Sequence, residues 1–118
     1  MNFPTLAVAA LLLMLGASNH TQPAAATVAQ TMPSAHLTIE NYAFKAPTVT
    51  VAAGTDVVWK NLDDDPHTVT ATDGSFDSTG LAQGDTFRHR FSKPGKYSYY
   101  CKVHPMMRGT IIVKESSS

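Results

Sequence analysis

A repeated period of two restricts the fold of this chain more than any other feature. In DTFRHRF, Phe87, His89 and Phe91 alternate with Arg88 and Arg90. In KYSYYCKV, Tyr97, Tyr99 and Cys101 fall on one side. An extended strand sends successive side chains to opposite faces, so each such run has one face to bury and one to leave in water. The same pattern places Leu37 and Ile39 together in HLTIENYAF, with Tyr42 expected to join their side, and Val49 with Val51 in TVTVAAG. It pairs Val57 with Trp59 in DVVWKN and groups His67, Val69 and Ala71 in HTVTATDG; GTIIVKE closes the series. Gly54, Asp73-Gly74 and Lys93-Pro94-Gly95 punctuate the runs as turns. No segment carries a helical period. The expectation is an all-β chain, a small Greek-key β-sandwich of about seven to eight strands.

The N-terminus has a different character. Leu6 to Ala17 is apolar and uncharged. It is short for a bilayer span and suits the core of a secretory signal. Residues 1–29 are therefore expected to be a signal peptide and cleavage region, with the cut near Ala26 or Ala29. The competing reading is an uncleaved membrane anchor. Either way the domain works outside the cytoplasm. Residues 30–34 read as a flexible lead-in, and 35–118 as one domain. A domain this small gains from a bound metal.

All nine acidic and all nine basic residues lie in that domain, so its formal charge is zero. Nothing in this balance suggests nucleic acid. Asp63, Asp64 and Asp65 form an acidic run, and six basic residues with no acid lie between Arg88 and Arg108. Both read first as solvated surface.

The chemistry concentrates in CKVHPMMRG, residues 101–109, which holds the only cysteine. A lone cysteine closes no internal disulfide. A free thiol in an oxidising compartment is a liability unless it is buried or metal-bound. Cys101 ends a strand whose tyrosines face inward, so its sulfur faces inward too. His104 follows in the turn, Pro105 stiffens it, and Met106 or Met107 folds back. His67, where the acidic loop enters a strand, supplies a second imidazole. Zinc favours tetrahedral Cys and His sites and seldom a thioether. Two histidines and a cysteine with a weak axial methionine form the pattern of blue-copper electron-transfer centres. His36 and His89 lack ligand spacing.

With these residues in view, the chain resembles a cupredoxin of the plastocyanin/azurin family, and its short ligand loop is most similar to the amicyanin type. The resemblance rests on APTVTVAAGTDVVWKNLDDDPHTVTATDGSFDS and GDTFRHRFSKPGKYSYYCKVHPMMRGTIIV. It implies one copper ion, held by His67, Cys101, His104 and Met107, with Met106 in a neighbouring hydrophobic position. Where many members carry Asn after the first histidine, this chain has Thr68, whose hydroxyl can still bond across to the ligand loop. The resemblance also implies a periplasmic, monomeric electron carrier, not an enzyme, since four protein ligands leave no open position for substrate. Its partners would be redox proteins, such as a periplasmic dehydrogenase and a c-type cytochrome. No membrane span is expected in the mature form. His104, at the loop tip, is the expected electron port. A copper-delivery protein and a zinc-stabilised module are the alternatives.

Overall fold

The structure is a computed structural model that describes residues 33–116. The expected signal segment, with its cleavage near Ala26 or Ala29, lies outside the described residues. Among the described residues no helix is long and apolar enough to cross a membrane.

Among the described residues, eight strands account for the period-two runs: β1 (Ser34–Glu40), β2 (Ala43–Phe44), β3 (Thr48–Ala52), β4 (Thr55–Asn61), β5 (Thr70–Ala71), β6 (Thr86–Phe91), β7 (Gly95–Tyr100) and β8 (Arg108–Lys114). They form two four-stranded sheets, ordered β2-β1-β4-β6 and β3-β8-β7-β5. β1 lies parallel to β4 and β3 parallel to β8, while the other pairings are antiparallel. This is the expected all-β Greek-key sandwich.

The alternating side chains meet between the sheets. Ile39, Val57, Trp59, Val69, Phe91, Tyr99 and Ile111 are all buried. Each such side chain contributes about 1.5–3 kcal/mol by leaving water. The Trp59 ring sits among Phe87, Phe91 and Tyr99, with centroids 5.9, 6.3 and 5.4 Å away. Its Nε1–H donates to the Tyr99 hydroxyl at 3.3 Å, which satisfies the polar atom that burial would otherwise leave unpaired. Phe76 joins this cluster, stacked on Trp59 and packed against Phe91.

Two expectations need correction. HTVTATDG is a strand only at Thr70–Ala71, where it pairs with Tyr100 and Tyr99. Residues 67–71 are buried without alternation, because loops cover their second face. Tyr42 does not share the core side with Leu37 and Ile39. It occupies the turn between β1 and β2 and is 53% exposed. The alternation ends at Glu40, where the chain reverses.

The β7–β8 hairpin positions the chemistry. Its ladder pairs Tyr99 with Gly109 and Tyr100 with Arg108, so residues 101–107 form the connection at one end of the sandwich. The Tyr99 ring lies directly on Gly109: a Cβ added there would sit 2.2 Å from Tyr99 Cζ. Glycine at this position lets the aromatic ring reach the core beneath the connection. Gly109→Ala is expected to lower stability by about 1–3 kcal/mol, the usual cost of overpacking, read by thermal or denaturant unfolding; an unchanged midpoint would show that Tyr99 yields freely.

His89 packs between Phe76 and Phe91, with ring centroids 4.7 and 4.8 Å away. Burial among these rings holds its imidazole below the usual histidine range. The unfolded chain therefore takes up this proton at a higher pH than the folded one. Stability is full above the unfolded value and is lost as pH falls through the folded one. His89→Phe is expected to flatten the unfolding midpoint against pH below about 6.5, the ordinary histidine value; a slope identical to the parent would assign the effect elsewhere.

Candidate metal centre

The loop from Asn61 to His67 is ordered from within. Asn61 is fully buried, and its Nδ2 donates to the carbonyls of Asp65 and Leu81, both at 2.9 Å. Its Oδ1 accepts the Asp63 N–H at 3.0 Å. These bonds fold the acidic run back over the strand end. Asp63 consequently does not behave as solvated surface. Its carboxylate accepts the N–H of Asn41 at 2.7 Å, the N–H of Tyr42 at 2.9 Å, and the Nε2 hydrogen of His67 at 2.8 Å. Partial burial pushes its carboxyl upward, but the Tyr42, His67 and Asn41 bonds prevail and hold it below the usual carboxylate range.

That contact settles how His67 is presented. With Nε2 donating to Asp63, the Nδ1 lone pair faces the other way. His67 Nδ1 lies 3.7 Å from Cys101 Sγ and 3.2 Å from His104 Nδ1. His104 Nδ1 lies 3.9 Å from the same sulfur. The donor atoms of His67, Cys101 and His104 all fall within 4.8 Å of one another. His67 and Cys101 are fully buried, and His104 is partly so. The sequence named these three residues, and the fold brings them together.

The cysteine is held from two directions. The Thr68 N–H donates to Cys101 Sγ at 3.3 Å, a contact suited to a thiolate acceptor. Within the connection, the Cys101 N–H donates to the Met107 carbonyl at 3.1 Å, and the Met107 N–H to the His104 carbonyl at 2.9 Å. Met107 is thereby tied by its backbone to both loop donors, and its side chain is buried. Met106 is 95% exposed. The expected split between an inner and an outer methionine matches this burial.

Thr68 bonds across to the ligand loop, and further than expected. Its Oγ1 accepts the Lys102 N–H at 2.8 Å and contacts Thr70 Oγ1 at 2.9 Å. Thr70 in turn donates to Asp77 at 3.1 Å, and Asp77 pairs with the Lys102 ammonium. The circuit closes on itself, and it links three chain segments around the thiol. The Lys102 partner holds the Asp77 carboxyl below its ordinary range. Sequence reasoning missed Asp63, Tyr42 and Asp77. Only Asp63 left a trace, as a carboxylate four residues before a candidate ligand.

A family model described as a cupredoxin-like domain matches residues 5–113. The chain belongs to the cupredoxins, and one copper ion is that family's cofactor. Within the family it is similar to the amicyanins. Amicyanin-alpha of Methylorubrum extorquens is 31% identical over 116 residues, covering 92% of this chain and 98% of the relative. The crystal structure of amicyanin from Paracoccus versutus superposes with a TM-score of 0.62 at 30% identity, covering 69% of this chain and 81% of that one. A purple cupredoxin from Nitrosopumilus maritimus superposes with a TM-score of 0.63 at 30% identity, covering 68% and 99%.

The donor chemistry fits copper: two imidazole nitrogens and one soft sulfur face a common point from buried or half-buried positions. Because Asp63 orients an imidazole through its far nitrogen, Asp63→Ala is expected to weaken copper affinity by about 10–100-fold. Competition against a chelator of known strength measures this, and unaltered affinity would show that His67 needs no orienting partner.

Proposed function

We propose that this chain is a type 1 copper electron carrier, with copper held by His67, Cys101, His104 and Met107. The observation that carries the reading is the approach of the two Nδ1 atoms to 3.2 Å beside the cysteine sulfur. Two lone-pair nitrogens repel each other at that distance unless a cation or a proton lies between them.

When bound, copper supplies a reversible one-electron change. The chain's own residues keep the donors still through that change. Asp63 fixes the His67 ring, the Thr68 N–H steadies the sulfur, and the backbone bonds of Met107 close the loop. Donors that move little between oxidation states favour rapid transfer. A fourth donor from Met107 leaves no position for substrate, which argues for a carrier and against an enzyme.

The reading extends to an exported, periplasmic protein, its signal peptide cleaved near Ala26 or Ala29 and its working domain at 35–118. Redox proteins are its partners, of the kind represented by a periplasmic dehydrogenase and a c-type cytochrome. Met106 and the half-exposed Val103 give the loop tip an apolar surface beside His104. Burial of His67 and Cys101 disfavours copper delivery, which calls for donors a partner can reach.

Copper(II) added to the purified protein is expected to give an intense blue thiolate-to-copper absorption. Cys101→Ser abolishes it, and Met107→Gln shifts both spectrum and potential more than Met106→Gln does. A blue Ser variant would sink the assignment, and a larger effect at Met106 would move the thioether donor there.

A further inference from the structure

The β1–β2 hairpin turns through Asn41 and Tyr42, with Glu40 paired to Ala43 on either side. Both turn residues have positive φ, 54° and 55°. A two-residue hairpin loop with positive φ at both places is of the I′ class, whose second place strongly favours glycine. Held there, a bulky residue costs about 1–3 kcal/mol. The Asp63 carboxylate holds the turn against this strain by accepting both its N–H groups. A tyrosine therefore stands where glycine would be easier, and the core does not explain it, because the side chain is half exposed.

The contacts of the ring supply an explanation. It meets the His67 ring edge-on at 5.5 Å and 90°, and the His104 ring at 5.2 Å and 81°. Its hydroxyl donates to the Asp65 carboxylate, which pins the far end. One aromatic ring thus lies across both imidazoles with its remaining surface open to water. It also walls a cleft of about 390 Å³ shared with Met106 and Arg108.

We propose that Tyr42 is the outer contact of the imidazole pair: it shields His104 from bulk water and relays the electron between His104 and the partner. This rests on the carrier reading above. In the transfer, one electron leaves the copper centre and reduces a one-electron centre, a metal or haem, in the partner protein. No bond forms or breaks. Tyr42 keeps its proton and is neither oxidised nor reduced; its ring bridges the gap that solvent would otherwise fill. His104 remains the last ligand on the path, and Tyr42 is the surface a partner meets.

Two substitutions separate this role from a structural one. Tyr42→Gly relieves the turn and removes the ring, whereas Tyr42→Phe keeps the ring and loses the Asp65 bond. In the metal-free protein, carbethoxylation of His104 by diethylpyrocarbonate, resolved by mass spectrometry with His36 as internal control, is expected to be several-fold faster in the Gly variant. The melting temperature of that variant does not fall. In the copper-loaded protein the Gly variant stays blue, while its electron self-exchange rate, from NMR line broadening of mixed oxidation states, falls several-fold. The Phe variant stays near the parent in both rates. The proposal is overturned if the Gly variant keeps the parent's labelling rate, exchanges electrons as fast while still blue, or melts clearly lower. If the parent itself takes up copper without blue absorption, the carrier reading fails and the relay fails with it. The labelling arm then judges the shield alone.

Discussion

One carboxylate, Asp63, joins the parts of the metal end that the sheets leave separate. It is mostly shut off from water, and it collects three donors: two backbone N–H groups from the β1–β2 turn and one ring N–H from His67. Charge-assisted bonds to a partly buried carboxylate are stronger than neutral ones. The ring orientation, the strained turn and the position of Tyr42 all depend on it. Asn61 places the carboxylate, so the arrangement traces back to a fully buried amide at the end of a core strand.

The strands were legible because burial on one face writes a period of two into the sequence. Phe87, His89 and Phe91, or Tyr97, Tyr99 and Cys101, could be assigned to the inner side from spacing alone. Where both faces are covered, as from His67 to Ala71, the spacing carries no such message and does not show that the strand is confined to Thr70–Ala71. The candidate donors were legible for a different reason. Cysteine, histidine and methionine are scarce here, and their order along one short hairpin connection is itself a chemical pattern. The supporting groups are common residues in undistinguished places. An aspartate in an acidic run looks solvated until the loop is folded, and only the fold shows which of Asp63, Asp64 and Asp65 turns inward. Tyr42 was harder still, because its position depends on a turn class that normally announces itself with glycine.

The two halves of the site are held by unlike means. His67 is fixed from outside the cluster, through a carboxylate on its far nitrogen. Cys101 is fixed from within the sandwich, by its place at the end of β7 and by the Thr68 N–H. The circuit through Thr68, Thr70, Asp77 and Lys102 connects them, since Thr68 follows His67 and Lys102 follows Cys101. A shift in either loop is therefore felt by the other. Coupled loops of this kind hold a donor set at fixed spacing better than either loop alone.

The order of the second sheet has a consequence for how the chain acquires its structure. β8 is the last strand in sequence, yet it sits inside its sheet, between β3 and β7. Its parallel partner pairs Thr48 with Thr110, so the ladder joins segments from opposite ends of the domain. Contacts of such long sequence separation form late and slowly, because a large loop must close before they contribute. A growing chain cannot complete this sheet before Lys114 has emerged. The connection that carries Cys101 and His104 is thus fixed at both ends only when β8 docks, which makes its order a late product of folding.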